Sequence, residues 1–418
     1  MSLNLKSWRT PLVVIIAGCL ISTIGFGIRS VFGLFLEPMT VQMNWSRETF
    51  ALAMALQNLM WGIGLPFAGA LADKFGSVKV IIIGAIVYGL GVWGMSNAET
   101  GFALHMTGGI LAGLGIAFSA FTLALAVMVR VVGAQKRSFV LGLGTAAGSF
   151  GQVLFSPLSQ GFISAFGWHT ALVILASMTL LMIPLALCLP NSPANSLSNS
   201  MADVHAKKIS DQSLSAAVYE AVHHRGYALL TIGFFVCGFH VAFITVHFPA
   251  YIKDLGLNPE IGAYSIALIG LMNIIGSLLS GWAGQKWSKK CGLSVIYFSR
   301  AIIIMALLLL PKTPLVMLLF AGTMGLLWLS TVPLTTGIVA QIFGVRYMGT
   351  LFGIVFLSHQ IGSFMGVWLG GRIYDQTGSY DGMWWAGAMV GILAAVIHLP
   401  INEKPLQRLA ADTQAAKA

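Results

Sequence analysis

Two arginines, Arg29 and Arg300, and three histidines, His240, His247 and His359, stand inside stretches that are otherwise almost wholly apolar. An arginine presents a fork of donors that matches the two oxygens of a carboxylate, and it stays charged. A histidine exchanges a proton near neutrality. Together they suit a site that holds an organic anion and moves a proton with it. Arg29 lies in FGIRSVFGLFLEP, and from Pro11 to Leu36 its only ionisable companion is the thiol of Cys19. A charge that deep in a membrane costs roughly 2.5–3.5 kcal/mol on insertion scales, so Arg29 calls for a partner. Glu37 lies eight residues on, roughly 12 Å along a helix rising 1.5 Å per residue, which is out of direct reach. Asp73, Glu37, Glu48, Glu99, Asp254, Glu260, Asp375 and Asp381 all fall at segment ends or in loops. An interior of that polarity favours an anion over a cation. The competing reading is structural, with Arg29 snorkelling outward or bonding the carbonyls of a neighbouring helix end.

His240 and His247 are seven residues apart and share a helical face; His359 lies near the middle of its segment. Each is a proton-coupling candidate, and the alternative for each is a neutral imidazole bonded to a backbone carbonyl. Gln152 and Asn273 join Arg29, His240 and His359 as substrate-binding candidates. Asn58 and Gln360 likewise need partners in lipid, which helix–helix hydrogen bonds would also provide. Trp61, Phe32, Phe239 and Tyr264 either line a cavity or simply pack. Gly25, Gly27 and Gly33 read as close-packing positions. Arg300, nearer a segment end, is expected to snorkel to the surface. Cys19, Cys188, Cys237 and Cys291 lie in or beside apolar runs without a Cys-x-x-Cys or a Cys/His cluster. That pattern implies no zinc, no disulfide and no cofactor. No nucleophile–base pair or phosphate loop appears, so the sequence does not read as an enzyme.

The elements that hold these residues follow from composition. Of 418 residues, 57% are hydrophobic and 9% charged, against about 25% charged in a soluble domain. At roughly 20 apolar residues per spanning helix, twelve segments stand out: 11–36, 46–71, 77–95, 99–129, 137–160, 168–190, 226–251, 259–284, 292–310, 313–340, 348–373 and 382–400. The fold class is an all-α polytopic membrane protein. The N-terminal Lys6 and Arg9 before an apolar run resemble a signal peptide, but that run is too long and reads as a retained first span. Seventeen of the 23 lysines and arginines fall on the side of the N-terminus, while Arg47, Lys253, Lys312 and Arg372 fall opposite. The net charge of +10 is therefore a topology signal and not a nucleic-acid footprint. It places both termini in the cytoplasm of a bacterial-type inner membrane.

The chain divides into an N-terminal half (1–190), a cytoplasmic linker (191–225), a C-terminal half (226–400) and a tail (401–418). GALADKFGSVK (69–79) and GWAGQKWSKK (281–290) are offset by 212 residues, and GSFG (148–151) and GSFMG (362–366) by 214. Two landmarks with nearly one offset argue for a duplicated six-helix unit, a transporter architecture with its site between the halves. A protein of this kind is expected to act as a monomer.

GALADKFGSVK resembles the loop after span 2 of the major facilitator superfamily, G-x-L-x-D-[RK]-x-G-[RK]. Gly69, Leu71, Asp73, Lys74 and Gly76 match, and Ser77 departs. The resemblance implies two six-helix halves, alternating access, and a cytoplasmic gate at Gly69, Asp73, Lys74 and Gly76; in the C-half copy Gln285 replaces the aspartate. Within the superfamily, KRSFVLGLGTAAGSFG (136–151) and GGRIYDQTGSYDGMWWAG (370–387) are similar to the monocarboxylate-transporter and oxalate/formate-antiporter branch. The animal members' aspartate–arginine pair in span 8 is missing from IGAYSIALIGLMNIIGSLLSG. The span 4 arginine and the G-P-x-x-G-G of drug exporters are missing too, since Gly109 and SPLSQG stand in those places. The resemblance thus implies a secondary transporter of a small organic anion, a monocarboxylate, coupled to protons or to anion exchange. The alternative is a proton-driven exporter of hydrophobic compounds, with Arg29 structural.

Overall fold

The computed structural model describes residues 9–132, 136–190, 213–344 and 347–406. Residues 191–212 of the expected linker and 407–418 of the expected tail lie outside the described residues.

Eleven helical stretches among the described residues are long and apolar enough to cross a membrane. Span 1 is Pro11–Met43, span 2 Arg47–Phe75, span 3 Ser77–Ser96 and span 4 Gly101–Arg130. The stretch Phe139–Leu187 has 49 residues, roughly 74 Å at 1.5 Å per residue, against a hydrocarbon core of about 30 Å. Gly167, at φ 77° and ψ 164°, breaks it into two: span 5 (137–166) and span 6 (168–187). Span 7 is Arg225–Asp254, span 8 Pro259–Lys286, span 9 Lys289–Leu309, span 10 Pro314–Phe343, span 11 Met348–Thr377 and span 12 Asp381–His398. The protein is an integral membrane protein, and with that stretch divided at Gly167 its described residues form twelve membrane-spanning helices, as hydropathy predicts.

Local chemistry starts and stops these helices. Thr10, Asn258 and Thr313 cap spans 1, 8 and 10, each followed by proline in the first turn, where its missing N–H costs nothing. Gly76 and Gly378, both at positive φ, end spans 2 and 11, a conformation that favours glycine.

Packing repeats between the halves. Span 1 packs on span 5 as span 7 packs on span 11; span 2 on span 4 as span 8 on span 10; and span 3 on span 6 as span 9 on span 12. Spans 2 and 5 meet spans 11 and 8 across the seam. Buried apolar side chains form two main clusters, one drawn mostly from residues 14–189 and the other from 221–401. Below, the face bearing Pro11 and His398 is the terminal face and the opposite one the far face.

Four spans are not continuous α-helices; span 6 is interrupted at Leu181, between a helix ending at Leu180 and one starting at Met182. Span 1 is an α-helix over Pro11–Ser30, a 3-10 turn over Phe32–Phe35 and a second helix over Leu36–Met43. Span 4 carries a π-turn over His105–Leu111 and breaks between Phe118 and Phe121. Span 10 breaks between Leu327 and Thr331. Irregular backbone at membrane depth is tolerated only where protein buries it or it lines a cavity, so the breaks point to where a site can lie.

Candidate functional site

Arg29 sits in the last turn of the first helix of span 1, where the dipole favours a cation. Its Nη2 donates to Asn58 Oδ1 at 2.7 Å, and the Asn58 amide nitrogen donates to Met54 O at 2.8 Å, which fixes the amide with its oxygen toward the guanidinium. The guanidinium carbon lies 4.4 Å from the centre of the Trp61 ring and 5.7 Å from that of Phe26. Arg29 is half-buried. The ion pairs among the described residues, Arg47–Asp254, Arg130–Asp73 and Lys253–Glu37, do not include it. Its protein partners are a neutral amide and two aromatic faces.

Two cavities adjoin that guanidinium. The first, small at about 20 Å³, is lined by Gly25, Phe26, Trp61, Ile116 and Phe121 as well as Arg29, from spans 1, 2 and 4. The breaks of spans 1 and 4 meet there, since Ser119 and Ala120 also line it. The second, about 10 Å³, adds Thr245 and Val246 of span 7 to Phe32, Gln57, Asn58 and Arg29. Arg29 therefore stands between a chamber inside the N-terminal half and one at the seam.

A line of hydrogen bonds crosses the seam from the same point. The carbonyl of Asn58 accepts from Gln360 Nε2 at 2.8 Å, and Gln360 Oε1 accepts from His359 Nδ1 at 2.9 Å. His359 lies between the rings of Phe234 and Phe356. Arg29, Asn58, Gln360 and His359 form one connected group.

The other expected residues lie elsewhere. His240 stands in span 7, the span equivalent to span 1, but it does not share a cavity with Arg29: it turns to span 12 and bonds Gly387 O through Nε2 at 2.8 Å. His247 is fully buried. Its Nε2 donates to Val367 O at 2.8 Å, and its Nδ1 accepts from the Tyr380 hydroxyl at 3.0 Å. Gln152 donates to Ile266 O at 3.0 Å, and Asn273 donates to Ser149 Oγ at 2.9 Å while accepting from the Leu329 N–H. Those two residues stitch span 5 to span 8 and help satisfy the break in span 10. Gly27 and Gly33 are close-approach positions: a Cβ would fall 2.5 Å from Phe155 Cδ2 and 2.2 Å from Thr245 O respectively. Gly25 differs, because it opens onto the first chamber. On the terminal face, Asp73 is exposed and 3.9 Å from Arg130 of its own half, Lys74 lies over Phe75, Gly76 ends span 2, and Gly69 has open space around it.

Arg300 requires a correction. Snorkelling was expected, yet the residue is 0% exposed. Its Nη2 donates to Leu327 O at 2.6 Å and to Trp328 O, the carbonyls freed where span 10 breaks. The break draws the guanidinium inward.

Sequence reasoning missed the far-face network. Arg47 pairs with Asp254 through two bonds of 2.6 Å, donates to the Tyr380 hydroxyl at 3.0 Å, and lies 3.7 Å from the centre of the Tyr374 ring. Asp375 of span 11 accepts from the N–H groups of Arg47 and Glu48 at 3.0 and 2.7 Å, a carboxylate on the N-terminus of span 2. Glu48 accepts from Trp368 Nε1 at 2.9 Å, and Lys253 pairs with Glu37 at 2.5 Å. Every one of these bonds joins the N-terminal half to spans 7 and 11 or the turn after span 11. A signal existed: Tyr374, Asp375 and Tyr380 lie in GGRIYDQTGSYDG, and Arg47 and Lys253 are two of the few basic residues opposite the termini.

The sequence profile of the Major Facilitator Superfamily matches residues 16–367. An uncharacterized MFS-type transporter, YcxA of Bacillus subtilis (strain 168), is 25% identical over 358 residues, which cover 84% of this chain and 85% of that one. Monocarboxylate transporter 13 of Bos taurus is 23% identical over 380 residues, 88% of this chain and 84% of its own. Among solved structures, a D-xylose-proton symporter superposes with a TM-score of 0.72 at 17% identity, covering 95% of this chain and 99% of that one.

Proposed function

This chain is a transporter belonging to the Major Facilitator Superfamily, and from that premise we propose that it carries a small organic anion, a monocarboxylate, by alternating access. The observation that carries the reading is Arg29: an intramembrane cation held by a neutral amide, outside every ion pair described, beside two cavities. The carboxylate of a substrate is the counter-ion that offsets its cost. The names of the relatives support the same class.

The bonds from Arg47, Asp254, Asp375, Glu37 and Lys253 close the far face. This is the state closed on the far side, with the far side periplasmic, both termini cytoplasmic and the chain in a bacterial-type inner membrane. Asp73, Lys74, Gly69 and Gly76 form the cytoplasmic gate of the opposite state. Coupling runs through His359, the histidine joined to Arg29 through Gln360 and Asn58; exchange for a second anion is the outcome if His359→Gln leaves uptake intact.

The test is thermal stabilisation of the purified protein by lactate, pyruvate, benzoate, dicarboxylates and hydrophobic cations. A ligand at about 100 times its Kd adds roughly 2.7 kcal/mol if it binds only the folded state. A monocarboxylate that stabilises the wild type but not Arg29→Ala supports the reading, and uptake into liposomes should collapse in Arg29→Lys. Stabilisation by cations or neutral compounds alone would sink it in favour of an exporter.

A further inference from the structure

Span 10 is built as a hinged arm. At its break the carbonyls of Leu327 and Trp328 are held by Arg300, the Leu329 N–H by Asn273, and the Ser330 carbonyl by the Ser280 hydroxyl. Those bonds pin the pivot. Beyond it the arm Thr331–Phe343, 13 residues long and about 20 Å at 1.5 Å per residue, runs to the terminal face. Along the way it meets spans 8 and 9 across glycines. A Cβ built on Gly284 or Gly292 would fall 2.6 or 2.9 Å from the end of Leu334, and one on Gly337 would fall 2.9 Å from the stem of Lys289. A glycine offers no side chain to interlock with the arm, so whatever holds its free end decides where it stands.

That end is held by the stretch after span 12. Glu403 accepts from the Lys290 N–H and from the Ser288 hydroxyl, the latter at 3.1 Å, which sets its carboxylate on the first turn of span 9, where a helix favours negative charge. The Glu403 carbonyl accepts from Gln341 Nε2 at 2.9 Å, and the Leu406 N–H donates to Ile342 O at 3.1 Å. Gln341 Oε1 in turn accepts from Lys289 Nζ at 2.8 Å, and Lys290 Nζ donates to Leu399 O at 2.9 Å. Ile401 is fully buried against the start of span 7 at Gly226. Pro405, with its fixed φ, stiffens the stretch between Glu403 and Leu406. The duplication shows what is unusual here. In the N-terminal half the loop supplies its own carboxylate, Asp73, 3.9 Å from Arg130 at the end of span 4. In the second copy Gln285 stands in that place, and the carboxylate on the loop comes from Glu403.

Resting on the reading that the chain alternates between closure of its two faces, we propose that residues 399–406 are a strap that holds the arm of span 10 in its present position. Release of the strap lets the arm swing at the break and close the terminal face. The strap then sets the balance between the two states without touching the substrate.

The experiment is hydrogen–deuterium exchange of the full-length protein in detergent, read in the arm (331–343), the strap (399–406) and the far-face stretch 45–50. In that last stretch the N–H groups of Arg47 and Glu48 donate to Asp375, so their protection reports closure of the far face. Two variants cut the strap from opposite sides. Glu403→Ala with Leu406→Pro removes a carboxylate and an N–H from the strap, and Gln341→Met removes both side-chain bonds from the arm at similar length. Each should raise exchange in the arm about tenfold, the value of one or two hydrogen bonds. Each should also raise exchange at 45–50 at least threefold, because molecules that leave the present state release Asp375. A strap that only braced its own end would not move the far face. Unchanged exchange in the arm, or a looser arm with 45–50 unchanged, would overturn the proposal and leave the anion carrier standing. Should the double variant not fold, Gln341→Met decides alone. Failure of Arg29-dependent anion binding, read separately by thermal stabilisation, would sink the carrier reading and leave the exchange result to judge the strap.

Discussion

Arg29 and Arg300 are the two arginines that stand deep within spans, and the chain treats them differently. Arg300 is sealed from solvent and fixed by two carbonyls of a broken helix, 27 and 28 residues further along the chain. Its partners are backbone atoms, which cannot leave. Arg29 is half-buried, held by one amide oxygen, stacked on Trp61, and open to cavities on two sides. One charge completes the scaffold and the other is left incomplete. The contrast teaches that depth in the membrane does not mark a functional charge; the identity of its partners does.

That contrast can be broken by substitution. The largest effect belongs to Arg300→Met, which keeps a long side chain but orphans the carbonyls of Leu327 and Trp328. Each unpaired buried group costs about 1–3 kcal/mol, so a net loss of about 2–4 kcal/mol is expected after relief of the buried charge. Melting in detergent should fall clearly, while the ligand affinity of the protein that remains folded stays within about threefold. Wild-type stability in Arg300→Met would mean that the break in span 10 does not need its cation. Arg29→Gln should behave in the opposite way. An uncompensated charge leaves the membrane interior and an amide can still meet Asn58, so melting should be unchanged or raised. Carboxylate binding should drop about 100-fold, the value of a lost charge-assisted fork at roughly 2–3 kcal/mol. A parallel fall in melting would place Arg29 in the scaffold beside Arg300.

A third, smaller effect concerns Asn58, which orients Arg29 and joins it to Gln360. Asn58→Leu removes the 2.7 Å bond to Arg29 but leaves the backbone carbonyl that Gln360 uses. Carboxylate affinity should fall about three- to tenfold, in line with one hydrogen bond of about 1 kcal/mol, and melting should move little. An effect as large as that of Arg29→Gln would show that the amide, and not the guanidinium, makes the decisive contact.

Much of this was legible in the chain. The twelve spans follow from apolar length, and Arg29 from the rarity of a charge in a run with no acid within reach. Arg300 was visible for the same reason, but its partner was not named, because a helix break has to be placed first. The signal for that break was nonetheless present: Pro333 cannot donate to the carbonyl of Leu329 and its ring crowds that turn, which is where span 10 opens. Pro38 does the same to Leu34, within the 3-10 turn after Arg29. The far-face network was illegible for another reason. Arg47, Asp254 and Asp375 are ordinary span-end charges, more than a hundred residues apart, and only the packing of span 2 on span 11 and of span 1 on span 7 makes them one group. His240 shows the converse limit, since equivalence of spans 1 and 7 fixes the helix position but not which way a side chain turns.

The finest test of the contrast lies at Cys237. Its Sγ is 3.9 Å from Arg300 Nη2 and 3.2 Å from Thr331 Oγ1, so it is the one side-chain atom that competes with span 10 for the guanidinium. If the thiol were the true partner, Arg300 would be an ion-pair residue and the distinction from Arg29 would rest on a different side chain. At 3.9 Å the contact is long for a charged pair, and both short bonds from Nη2 go to carbonyls. Cys237→Ser keeps an acceptor of similar size that still reaches Thr331. Its expected cost is under about 0.5–1 kcal/mol, the scale of one neutral hydrogen bond exchanged for another, with carboxylate affinity unchanged. A loss as large as that of Arg300→Met would move the anchor of Arg300 from the backbone of span 10 to the thiol of span 7. The two arginines would then differ in which side chain answers them, and no longer in whether the backbone does.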